Sequence, residues 1–143
     1  MRVFPGISCI TLAVRDVERA TIFYEMLGWR VSRRASGPGE SYFQLNNIVL
    51  ALRHADSLTP VSGDQHPGAS AAILLHQHYG SERAVAKALD VAARAGASGL
   101  FGPDKFADGS SVCGFCDLDG HRWNIAFDPA RPPSPDGSLS LPG

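Results

Sequence analysis

The chain has 143 residues, of which 44% are hydrophobic and 19% are charged, and its formal net charge is -1. This size and composition are typical of one soluble globular domain with its own core. The small net charge, without a cluster of Lys and Arg, argues against nucleic acid as a partner, and the lack of an apolar run of about 18 residues argues against a membrane. The N-terminal segment lacks the features of a signal peptide, and three cysteines are too few for a disulfide framework. We therefore expect a cytoplasmic protein.

The first half begins with a strand pattern followed by a helix pattern. In ISCITLAVRD (7–16), apolar residues alternate with smaller ones from Ile10 to Val14, as expected for a strand with two different faces. Asp16 is a suitable helix N-cap, and the apolar residues after it recur at helical spacing. The pattern predicts a helix from Val17 to Leu27 that ends at Gly28.

Three more strand patterns complete the first half, and a linker follows them. The segments WRVSRRA (29–35), SYFQL (41–45) and IVLALRH (48–54) are separated by a Gly-Pro turn and by Asn46-Asn47. Residues 55–69 are rich in Ser, Pro, Gly and Asp and have no hydrophobic period, which predicts a linker.

The second half repeats this order. The segment SAAILLHQ (70–77) has a strand pattern, Ser81 is a suitable N-cap, and an amphipathic helix pattern follows until Gly96. Short strands are expected around ASGLF, SSVCGFC and HRWNIAF. Residues 129–143 are rich in proline and poor in apolar residues, so we expect a flexible tail, disordered or laid across a neighbour.

The duplicated order predicts an α+β fold with two βαβββ modules. Module one spans 1–54 and module two spans 70–128, within a single domain of residues 1–128. One module cannot cover both faces of its sheet, so we expect two curved mixed sheets that enclose a cavity, with the helices outside.

Cys113 and Cys116 form a CxxC pair that invites a redox or zinc interpretation. The surrounding SSVCGFC has a strand pattern, and residues three apart on a strand point to opposite faces. A redox CxxC normally opens a helix, and no helix pattern follows. We therefore expect two cysteines packed in or near a sheet.

Two motifs resemble the vicinal oxygen chelate superfamily, which includes glyoxalase I, bleomycin-resistance proteins and extradiol dioxygenases. They are LAVRDVERATIFYEMLGW in the first module and DLDGHRWNIAF in the last hairpin. In the second motif, the aspartates can bind nearby backbone N–H groups and Gly120 can supply a positive φ, so a hairpin turn is expected there. The family contains many different chemistries, so the resemblance does not specify a substrate.

The resemblance implies four positions at which metal-dependent relatives carry His or Glu ligands. In this chain they fall on Cys9, Ala51, Ser70 and Asn124, and none of these is the usual ligand. We therefore expect no metal and no cofactor. His76 and His78 share a strand face and leave a two-ligand site open as an alternative, although exposed histidines without a metal are the commoner situation.

Alternation along the strands predicts the residues that face the cavity. Arg53 and Arg122 are the cations among them; they pair with a carboxylate or aromatic ring of a ligand, or else extend into solvent. The set is Cys9, Thr11, Ala13, Ala51, Arg53, Ser70, Ala72, Leu74, His76, Arg122 and Asn124.

The favoured function is metal-free binding or sequestration of a small organic molecule by a homodimer. The alternative is a metal-dependent lyase, isomerase or dioxygenase of the same superfamily with an atypical ligand set. A third hypothesis is an enzyme that uses Cys9 as a nucleophile with His76 as its base. No catalytic residue can be assigned from the sequence.

Overall fold

The computed structural model describes residues 5–58 and 73–142. Within these ranges, neither α-helix is long and apolar enough to cross a membrane. A short 3-10 turn at Ala55–Ser57 follows the first module. The regular elements are β1 (Cys9–Val14), α1 (Val17–Met26), β2 (Glu40–Gln44), β3 (Val49–His54), β4 (Leu74–His78), α2 (Glu82–Arg94), β5 (Ser98–Lys105), β6 (Ser111–Cys116) and β7 (Arg122–Phe127).

The strands form two mixed sheets, in agreement with the predicted α+β fold. The order is β1-β3-β2 in the first sheet and β4-β7-β6-β5 in the second. The first and last strands of each half are parallel neighbours, β1 with β3 and β4 with β7. The strands joined by hairpins are antiparallel. The halves therefore repeat one topology.

The expected strand at residues 29–35 is reduced to a single bridge between Val31 and Phe43. The alternation in this segment wrongly predicted a strand because Trp29 packs on the core and does not extend along β2. The ring centroids of Trp29 and Tyr24 are 5.3 Å apart, and the two rings are stacked. Ser36 then closes a turn by donating from its hydroxyl to the Ser32 carbonyl at 2.6 Å.

The helix boundaries follow the predicted caps. The side chains of Asp16 and Ser81 accept hydrogen bonds from backbone N–H groups three residues later, each at 3.1 Å. Gly28 and Gly96 follow the two helices with φ of +100° and +102°, a conformation that favours glycine. The helix α1 ends one residue before the predicted end, within the ordinary uncertainty of helix ends.

Alternate residues of the strands form a core face, which is packed against the helices in one hydrophobic cluster. Phe23 and Tyr24 of α1 pack against both sheets. The ring centroids of Tyr24 and Phe43 of β2 are 6.1 Å apart, and those of Phe23 and Phe115 of β6 are 6.2 Å apart. Among the apolar residues that β1 and β7 place on this face, Leu12, Val14, Trp123 and Ile125 are buried, whereas Ile10 and Phe127 are partly buried.

A buried polar network ties α1 to the turn between β6 and β7. The Tyr24 hydroxyl donates to Asp117 Oδ2 at 2.6 Å and accepts from Trp123 Nε1 at 3.0 Å. Asp117 Oδ1 accepts from the backbone N–H groups of Asp119 and His121, both at 2.9 Å. Burial and the nearby Asp117 carboxylate raise the pKa of Tyr24 far above its usual value. This network connects groups about 90 residues apart, and the sequence pattern did not indicate it.

The CxxC pair lies on β6, as expected. Cys113 is on the core face and fully buried, and Cys116 is partly exposed. Burial raises the pKa of the Cys113 thiol to about 11, which leaves it protonated and unreactive near pH 7.

Candidate functional site

The face opposite the core face is called here the open face. On the three-stranded sheet it carries Thr11, Ala51 and Tyr42 side by side in one register row, and Arg53 beside Glu40 in the next. Thr11 is exposed, and Ala51 is buried at 1% exposure because larger neighbours stand on both sides. The predicted residues Cys9, Thr11, Ala51 and Arg53 therefore share this face.

A polar cluster occupies the open face of this sheet. The Tyr42 hydroxyl donates to Glu40 Oε2 at 3.0 Å, and Arg53 Nε lies 3.7 Å from the same oxygen. The hydrogen bond to Glu40 raises the pKa of Tyr42. Cys9 Sγ is 3.8 Å from Thr11 Oγ1. Glu40 and Tyr42 were missed from the sequence, although the alternation of β2 around buried Phe43 would have placed both on this face.

Ala13 is in register with Arg53 on the first sheet, and the open face of the four-stranded sheet holds Leu74, His76, Arg122 and Asn124. His76 is in register with Asn124, and Leu74 with Arg122. The rings of His76 and His78 lie 6.4 Å apart, tilted by 29°. Burial, with a smaller contribution from His76, lowers the pKa of His78, which favours its neutral form.

Next to Asn124 the open face has no side chain of its own. Gly114 of β6 is in register with Asn124, and a Cβ built on Gly114 would lie 2.3 Å from Phe101 Cε1. The same Cβ would lie 2.7 Å from the Trp123 carbonyl oxygen. The Phe101 ring from β5 therefore covers this point, and any side chain at position 114 would clash with it.

The structure describes three of the four positions that correspond to metal ligands in relatives. Cys9 begins β1, Ala51 is the third residue of β3, and Asn124 is the third residue of β7. Ser70 lies outside the described residues; within them, the register equivalent of Cys9 in the second half is Leu74, the first residue of β4. Alanine and leucine have no donor atom, and a neutral amide is a weak ligand for a transition metal. Among residues 5–58 and 73–142, no three His, Cys, Asp or Glu side chains are grouped to hold an ion.

A cleft of about 840 Å³ is lined by residues of both halves. Ser70 and Ala72 lie outside the described residues; of the other predicted cavity residues, His76 lines this cleft, together with Trp29, Trp123 and the segment 133–137. Cys9, Thr11, Leu74 and Arg122 are instead exposed on the open faces. The predicted residues that the structure describes therefore lie on the open faces of the two sheets.

Residues 6–125 match the family model of the Glyoxalase/Bleomycin resistance protein/Dioxygenase superfamily. A glyoxalase-related enzyme from Fulvimarina pelagi is similar in structure, with a TM-score of 0.84 and 29% identity over 98% of this chain and 100% of that one. The hypothetical protein SA1046 from S. aureus has a TM-score of 0.73 at 19% identity, over 89% of this chain and 96% of that one. No curated protein is significantly similar in sequence.

Proposed function

The chain belongs to the Glyoxalase/Bleomycin resistance protein/Dioxygenase superfamily, and on this basis we propose that it binds a small organic molecule without a metal ion. The observation that carries the proposal is the donor set at the four family positions. Ala51 and Asn124 are two of the three family positions that the structure describes, and neither is a strong metal ligand. Leu74, the register equivalent of Cys9 in the second half, has no donor atom either. The open faces nevertheless retain small residues that leave room for a ligand.

The polar cluster supports a ligand that carries a carboxylate. The Arg53 side chain is 40% exposed, and Glu40 restrains its Nε from one side. A guanidinium presents further N–H groups that match a carboxylate in a bidentate pair. Thr11 and Tyr42 add hydroxyl groups in the adjacent row. The proposed ligand is a planar organic acid held on the open face of the first sheet.

A homodimer would close the site. Leu74 is 36% exposed on the open face of the second sheet, and Leu100 and Phe101 of β5 are each 42% exposed. Exposed apolar residues on sheet faces and edges are commonly covered by a second copy. A partner placed on these surfaces would turn two half-sites into enclosed cavities, which is the arrangement we propose.

The metal-free proposal is tested on protein purified without added metal. Elemental analysis should find well under one equivalent of zinc, iron, manganese or nickel, and a chelator should leave the melting temperature unchanged. The double variant Cys9→His with Asn124→Glu should still bind metal weakly, because two positions lack donors. A stoichiometric ion whose removal lowers the melting temperature of the wild type would return the chain to the metalloenzyme class.

Ligand binding and assembly are tested by native mass spectrometry and light scattering on the same protein. We expect a dimer mass and a retained organic acid that Arg53→Ala releases. Leu74→Glu should dissociate the dimer, since it buries a charge in the interface. Leu141→Glu is the matched control, because Leu141 is 75% exposed in the C-terminal segment. A monomer at tens of micromolar would contradict the dimer.

A further inference from the structure

The cleft between the halves has the size of a small-molecule site; it includes Gln44 and His76 from the open faces but none of the polar cluster. Its volume of about 840 Å³ falls within the range typical of ligand pockets, about 300–1,000 Å³. Three walls come from the β2–β3 turn, from residues 28–30 after α1, and from β4 with the residues up to Gly80. The fourth wall is the C-terminal segment 133–137.

The fourth wall is a turn that closes on itself. The backbone N–H of Ser134 donates to the Ser138 carbonyl at 2.9 Å, and that of Gly137 donates to the Ser134 carbonyl at 2.8 Å. Asp136 Oδ1 accepts from both the backbone N–H and the hydroxyl of Ser138, at 2.9 and 2.6 Å. Gly137 supplies the positive φ of +87° that the turn requires. The turn therefore has its shape before any ligand arrives.

The apolar part of the cleft combines aliphatic side chains, such as Leu45 and Leu75, with aromatic rings. Trp29 and Trp123 pack edge to face with centroids 5.4 Å apart, and both line the cleft together with His76 and His78. They are the only two tryptophans of the chain. Aromatic walls of this kind favour flat rings, which stack or pack edge-on against them.

The polar part of the cleft carries almost no net charge. Among the described residues that line it, the Lys, Arg, Asp and Glu side chains are Arg30 and Asp136, and their charges cancel. The other hydrogen-bonding side chains are three amides, on Gln44, Asn46 and Gln77, and the imidazole, hydroxyl and indole groups of the lining. Such a lining pairs with neutral donors and acceptors and favours neither a cation nor an anion.

We propose that this cleft is a second ligand site, which takes a flat, uncharged aromatic molecule bearing an amide or hydroxyl group, and that residues 133–137 form its fourth wall. The site differs from the organic-acid site on the open face in location and in the charge of its ligand. One can exist without the other.

The experiment uses three probes of nearly equal shape and different charge: 2-naphthamide, 2-naphthoate and 2-naphthamidine. Binding to the full chain is followed by the two indole N–H signals in a nitrogen-15 NMR spectrum, since both tryptophans line the cleft. We expect saturable shifts of both signals with 2-naphthamide and at least about 5-fold weaker binding of each charged probe. Failure of the amide to bind, or equal binding of all three, overturns the proposal.

Two truncations test the fourth wall. A chain that ends at Asp128 loses the turn and should bind 2-naphthamide about 5-fold or more weakly, with an unchanged melting temperature. A chain that ends at Ser138 keeps the turn and its hydrogen bonds and should bind like the full chain. Equal binding by both truncated chains would contradict the role given to residues 133–137.

Asn46→Asp tests the charge argument in the same cleft. Asn46 accepts a hydrogen bond from the backbone N–H of Asn47 through Oδ1 at 2.8 Å, and aspartate can accept the same bond. The variant should keep the turn and add one negative charge to the lining. We expect the ratio of amidine to amide affinity to rise about 3-fold, and an unchanged ratio would count against the charge argument.

Discussion

The core face and the open face are made from alternate residues of the same strands, but different forces hold them. On the core face, Phe43 and Leu52 are fully buried and join one cluster that spans both sheets. One residue away from each, Gln44 is exposed and Arg53 is half-buried. Burial of apolar area stabilises the first face, whereas the second keeps polar groups in contact with solvent. Stability should therefore depend on one face and binding on the other.

The largest difference is expected at neighbouring positions of β2. Phe43→Ala removes a fully buried ring and should lower the free energy of unfolding by about 3–5 kcal/mol. Gln44→Ala changes an exposed residue and should alter it far less. Urea denaturation of both variants checks this, and similar losses in the two would mean that the faces are not separate.

The second largest loss of stability is expected in the buried network of Tyr24, Asp117 and Trp123. Asp117→Asn keeps the shape of the side chain but loses the charge that accepts from Tyr24 and two backbone N–H groups, so we expect a loss of about 1.5–3 kcal/mol. Asp108→Asn is the control, since Asp108 accepts comparable bonds from Ser110 in an exposed turn. A larger loss for Asp108→Asn would contradict the importance of burial.

Tyr24→Phe should cost about 1–2 kcal/mol at neutral pH, because it leaves the buried Asp117 and Trp123 groups without their partner. The cost should shrink above pH about 10. The pKa of Tyr24 is raised in the folded state, so the folded protein keeps the proton while the unfolded chain releases it, and stability falls as pH rises. Phenylalanine has no such proton. Unfolding curves at pH 7 and pH 11 measure this, and a constant difference would contradict it.

The smallest effect is expected for Arg53→Ala. Its side chain is 40% exposed and its pair with Glu40 is long, so the free energy of unfolding should change by no more than about 0.5 kcal/mol. Leu52→Ala, one residue earlier, should cost about 2–5 kcal/mol. If Arg53→Ala lowered the free energy of unfolding by more than about 1.5 kcal/mol, the polar cluster would contribute to the stability of the fold.

Local sequence patterns predicted most of the fold because alternation and capping act over a few residues. The helix caps, the faces of β1 and β7 and the turn at Gly120 all follow from neighbours in the sequence. The strand expected at 29–35 failed because packing of Trp29 on Tyr24 overrode the local pattern.

The site was less predictable because it depends on which strands are neighbours. Leu74 is the register equivalent of Cys9, as the pairing of β4 with β7 shows, whereas the resemblance to the family placed this position at Ser70. Glu40 and Tyr42 needed the pairing of β2 with β3 to join the site. The cleft also includes part of the C-terminal segment, which was expected from its composition to be disordered or laid across a neighbour.

The contact between Gly114 and Phe101 limits how this family member can change during evolution. A side chain at position 114 is excluded both by the Phe101 ring and by the Trp123 carbonyl oxygen, so the surface beside Asn124 is covered by β5 and not by a side chain of β6. A smaller residue at 101 would remove the first obstacle but leave the second, which is backbone, in place. Substitutions at 101 should therefore reshape this surface, whereas position 114 should stay glycine.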